Sequence, residues 1–89
     1  MLEKGKKYLL ITAFGWGFVG TFDAIVGLNQ VAMTDCHFVT RCGEGTDWGQ
    51  FVRKGPGAGC IVNQLGTTTI NLDHCIWRTE FKHDLPRTR

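Results

Sequence analysis

The chain has 89 residues, of which 43% are hydrophobic and 20% charged, with a formal net charge of +2. That length allows one domain, residues 1–89, and that apolar share excludes a disordered segment. The charge is unevenly placed: residues 1–7 and 78–89 each carry +2 around a body of −2, so the body lacks the basic face that marks a nucleic-acid binder.

Lysines at positions 4, 6 and 7 precede Tyr8–Phe14, an apolar run of seven residues that is too short to cross a membrane. It reads instead as a first strand buried on both faces. With no secretory leader pattern and no C-x-x-C pair among Cys36, Cys42, Cys60 and Cys75, the expected setting is the cytoplasm, with reduced and mostly buried thiols. The next feature is Gly15-Trp16-Gly17, which reads as a tight reversal because glycine tolerates positive φ.

A second strand follows over Phe18–Val26, with Phe18, Gly20 and Phe22 on one face. Gly20 within it predicts a bend or a close backbone approach. Gly27-Leu28-Asn29 turns into a third strand, Gln30–Val39. Alternation there puts Val31 and Met33 on one face and Ala32, Thr34, Cys36 and Phe38 on the other.

Gly43-Glu44-Gly45 breaks the β pattern, and a short helix is expected over 46–55 with Thr46 as its cap. Trp48, Phe51 and Val52 share one helical face, Arg53 and Lys54 suit the last turn, and Gly55 and Pro56 stop it. This helix is expected to lid one open end of the sheet. A fourth strand is read over Cys60–Leu65, a turn at Gly66 and a fifth strand over Thr67–Trp77, with a polar tail over residues 78–89.

The fold class predicted is therefore mainly β: a five-stranded, bent antiparallel sheet or SH3-like barrel, with one short helix between strands three and four. Unprotected sheet edges predict self-association into a homodimer or higher oligomer. The residues singled out for a ligand or an interface are Trp16 with its neighbours Gly15, Gly17 and Phe18, and Trp77 at the end of the last strand. A large aromatic near a hairpin tip needs a partner: its own core, a second subunit, or a small planar ligand stacked on it.

Asp35-Cys36-His37 and Asp73-His74-Cys75 mirror each other, and Cys36, His37, His74 and Cys75 form the alternative constellation for a zinc site or a Cys/His enzyme. Against it, adjacent strand residues point to opposite faces, so each tripeptide offers one side only Cys or only His. The Gly55-Pro56-Gly57-Ala58-Gly59 loop has no following Lys-Ser/Thr and comes after a helix, so it is a connector and implies no phosphate cofactor. No cofactor and no catalytic set is expected.

Gly17-x-x-Gly20-Thr21-Phe22, Asn29, then Val31-x-Met33-x-Asp35-Cys36 resembles the first motif of Sm-like RNA-binding barrels, which implies a ring that binds RNA or a nucleotide. The resemblance stops there, since the Arg-Gly of the second motif is missing between Thr67 and Ile76. The whole layout, Tyr8–Phe14, Gly17–Phe22, Val31–Val39, Thr46–Gly55 and Cys60–Trp77, is similar to uncharacterised small proteins of phages and mobile gene cassettes. That similarity implies a mobile-element origin and no defined activity. The leading expectation is thus a non-catalytic, homo-oligomeric binding module.

Overall fold

Residues 2–86 are described by a computed structural model, so the end of the expected tail, residues 87–89, lies outside the described residues. Five strands form one antiparallel sheet: β1 (Lys7–Thr12), β2 (Gly17–Gly27), β3 (Gln30–Arg41), β4 (Ile61–Asn71) and β5 (Cys75–Glu80). The sheet order is β4-β3-β2-β1-β5, so β4 and β5 are open edges and the curled sheet is a half-barrel that does not close. A short α-helix, α1 (Trp48–Lys54), lies between β3 and β4, as the sequence predicts.

β1 is the spine of the molecule. Its apolar run alternates between two cores: Tyr8 and Leu10 join Phe22, Val31, Met33, Cys36 and Ile70 on the inner face. Leu9 and Ile11 join Val19, Val39, Phe51, Val62 and Phe81 on the outer face. Double-sided burial explains the absence of any polar position between Tyr8 and Ile11. Gly20 provides the close approach its position predicts, because a Cβ there would sit 3.1 Å from the Met33 side chain and 3.2 Å from the Cys36 backbone.

The curl comes from bulges. Pairing of β3 with β4 shifts between Met33 and Cys36, where Asp35 takes a left-handed conformation (φ 47°) and the next residue, Cys36, pairs with Gly66 (φ 74°). One extra residue there inverts the alternation beyond it. Cys36 therefore lies on the same face as Val31 and Met33, not on the opposite one.

Gly66 is likewise a bulge rather than a turn, so β4 runs unbroken from Ile61 to Asn71 and takes in residues read as the start of a fifth strand. The reversal comes later, in a single 3-10 turn at Leu72–His74, where the Asn71 side chain accepts the Asp73 amide at 2.9 Å. β5 then extends through Arg78 to Glu80, into the stretch read as tail.

α1 begins one residue later than expected. Asp47, not Thr46, is its cap and accepts the Gln50 amide at 2.8 Å, while the Thr46 hydroxyl donates to the Glu44 carbonyl. The helix lies on the outer face of the sheet, not over an end, since an open sheet has no end to close. Phe51 is fully buried there and stacks on Phe81, ring centroids 4.8 Å apart. The segment after β5 straps it down: His83 Nε2 donates to the Val52 carbonyl at 3.0 Å, and Lys7 Nζ donates to the His83 carbonyl.

Candidate functional site

Thr12 and Trp16 close the β1–β2 connection. The Gly15 amide donates to the Thr12 carbonyl at 2.9 Å, and the Thr12 amide donates to the Trp16 carbonyl at 2.8 Å. Only Gly15 takes positive φ (84°), which makes this a three-residue hairpin loop with glycine at the left-handed position. The reversal is therefore centred before Trp16, and Trp16 stands where the loop enters β2.

Gly17 has a different role from the one its position suggests. A Cβ on Gly17 would fall inside the Trp48 indole, so this glycine seats the helix on the sheet. The outer-face row Trp77, Ile11, Gly17, Val39 and Val62 runs across four strand pairings at this level.

On the inner side, four rings meet. Trp16 is 6.0 Å from Phe14 and 6.1 Å from Phe38, the second contact edge-to-face, and Phe38 is 5.2 Å from Phe18. Such separations are within the range of favourable aromatic pairs. Phe14 is 82% exposed and Trp16 56% exposed. The patch is held by hydrogen-bonded backbone on β1, β2 and β3, and the Ala13 amide ties it to the His74 carbonyl at 2.9 Å.

Phe38 belongs to this surface only because of the Asp35 bulge. Strict alternation from Val31 would send it to the opposite face, away from Phe18. The sequence alone does not single out Phe14 and Phe38. The available signal was Asp35, one of the few residue types that tolerates left-handed backbone inside a strand.

Trp16 and Phe18 are thus brought together, whereas Trp77 is not with them. It pairs with Ile11 on the outer face, half-exposed beside α1. The mirrored tripeptides separate as well. Cys36 is buried in the inner core and Cys75 packs against that core, while His74 is exposed on the 3-10 turn. His37 shares the level of Val19 on the outer face, where its Nδ1 donates to the Asp35 carbonyl at 3.0 Å. Among the described residues no group of three or more His, Cys, Asp or Glu is placed to hold a metal ion.

The four thiols are free. Burial pushes Cys36 and Cys42 up to about 11, and burial also raises Cys60 and Cys75. A nucleophilic cysteine needs the opposite shift, toward thiolate at neutral pH. What the arrangement supplies is a rigid aromatic surface, suited to packing or stacking. Among the described residues no helix is long and apolar enough to cross a membrane. The chain matches no protein-family model, and no curated protein matches it in sequence.

Proposed function

We propose that this protein is a non-catalytic interaction module that assembles with copies of itself through the Phe14–Trp16–Phe38 surface and the adjoining β4 edge. The observation that carries this reading is the exposed aromatic patch on a hydrogen-bonded backbone, since burying Phe14 and Trp16 returns apolar area at about 25 cal/mol per Å². The β4 edge supports it: Phe38 pairs with Asn63, so edge and patch are continuous. Ile61–Asn71 contains no charged residue and no proline, the usual devices that keep strand edges apart. A second apolar tip at the other end of the β2–β3 hairpin, with Ile25 and Leu28 exposed, also suits coverage by another subunit.

Stacking of a small planar ligand on Trp16 is the second reading, favoured by the tilt of 43° between Phe14 and Trp16, which leaves both ring faces partly open. The four free thiols suit a reducing cytoplasm, and the layout suits a mobile-element product. Native mass spectrometry on gently purified protein, before and after denaturation, distinguishes the two readings. Self-assembly predicts a multiple of the chain mass with nothing retained. A single-chain mass carrying an added small molecule transfers the surface to the ligand reading, and a bare single chain overturns both.

A further inference from the structure

A second surface, independent of the aromatic patch, lies on the outer side between α1 and β5. It is a groove of about 630 Å³. One wall is the 49, 52 and 53 face of α1, and the other is Ile76 to Thr79 of β5. Four consecutive strand residues line it, which marks a groove that follows the strand edge rather than one face of the sheet. The Phe81 amide donates inward to the Lys7 carbonyl at 2.9 Å, so by alternation the amides and carbonyls of Arg78 and Glu80 point away from β1. Among the described residues no strand pairs with β5 on that side.

The chemistry of the walls selects an occupant. Ile76 and Trp77 are exposed and, with Val52, give apolar ground. Arg53 and Arg78 are exposed and neither forms an ion pair among the described residues. The acid in the lining, Asp47, is committed to the Gln50 amide. Gly49 leaves the helix wall open: the nearest atom a Cβ would meet there is Asp47 Oδ1, at 3.4 Å.

We propose that the β5 edge accepts an extended peptide of another protein as a sixth strand, one that alternates acidic and apolar residues. The strand's backbone pairs with the outward groups of Arg78 and Glu80, its apolar side chains rest on Trp77 and Val52 on the outer face, and its carboxylates, on the other face by alternation, meet Arg78.

The test is a titration of isotope-labelled full-length protein with a capped hexapeptide alternating glutamate and valine, against its lysine–valine counterpart. The expected result is saturable movement of the Arg78 and Glu80 amide signals, with slowed hydrogen exchange there, for the acidic peptide alone. The R78E substitution weakens binding by about tenfold or more. Gly49→Leu fills the groove and improves helix propensity, so it removes binding while thermal stability is kept. The proposal is overturned by the absence of saturable movement, or by equal affinity for the lysine–valine peptide. It is also overturned if the same amides respond to dilution of the protein alone, which assigns the edge to a second copy. A monomeric protein that still binds the acidic peptide refutes the self-assembly reading and leaves this one standing.

Discussion

Asp35 decides what the two ends of β3 present. Its left-handed backbone (φ 47°) is the reason Cys36 enters the inner core and Phe38 meets Phe18 and Trp16. A β-branched residue is strained there while glycine is not, so Asp35→Val should cost about 1–2 kcal/mol and Asp35→Gly close to nothing. Denaturant midpoints of the two variants check this; equal losses would show that the side chain, not the conformation, matters. Cys36 supplies a pH signature. Its thiol is raised from 9.0 to about 11 by burial, so the native state holds its proton over an interval in which the unfolded chain releases it. Its contribution to stability is therefore complete below about pH 9 and is lost as pH rises toward about 11. Wild type should lose stability relative to Cys36→Val across that interval, and a constant difference between the two would contradict the assignment. At neutral pH the same thiol should resist labelling until the protein is unfolded.

Among the elements, the contact between α1 and the sheet depends on the glycine beneath Trp48. Gly17→Ala places a methyl inside the indole, and overpacking of this kind costs about 1–3 kcal/mol. Gly49→Ala, within the helix and free of such a clash, should instead raise stability by up to about 1 kcal/mol. Thermal melts of the pair test the packing; a neutral Gly17→Ala would mean that the helix lifts at no cost. The elements most legible in the sequence are those whose apolar period is unbroken: β1 over Tyr8 to Ile11, and α1 with Trp48, Phe51 and Val52 on one side. Legibility fails where a bulge interrupts the period. Gly66 looks like a turn because glycine at positive φ serves turns and bulges equally, and only pairing with β3 distinguishes them. The same limit hid Phe38, since no local rule says that Asp35 counts as an extra residue. The alternation of Leu72, His74 and Ile76 predicts a fifth strand that starts too early, because the Asn71 cap interrupts it. Phe81 and the strap after it read as tail because their partners, Phe51 and Val52, lie about thirty positions earlier.

Over the whole molecule, the half-barrel buries two cores on a spine of six residues and leaves apolar features outside, among them the aromatic patch, the Ile25–Leu28 tip and the Trp77 groove. They divide by chemistry. The patch adjoins an uncharged edge, β4, which suits a second copy, whereas the groove adjoins an edge flanked by Arg53 and Arg78, which suits an acidic strand. A chain of this size buries only about 60–65% of its unfolded surface, so added burial in an assembly is a substantial gain. Trp16 is legible as the candidate because its flanking glycines set it apart; its two ring neighbours are not, since Phe14 sits in the loop after β1 and Phe38 reaches it through the register of β3 beyond Asp35. The most direct measurement is sedimentation velocity on wild type and Trp16→Ser over a range of micromolar concentrations, with far-ultraviolet circular dichroism confirming that both are folded. The account predicts a wild-type oligomer that persists on dilution and a Trp16→Ser chain that shifts to monomer with its fold intact. A wild-type protein that sediments as a monomer throughout, or a variant that assembles as tightly as wild type, would contradict it.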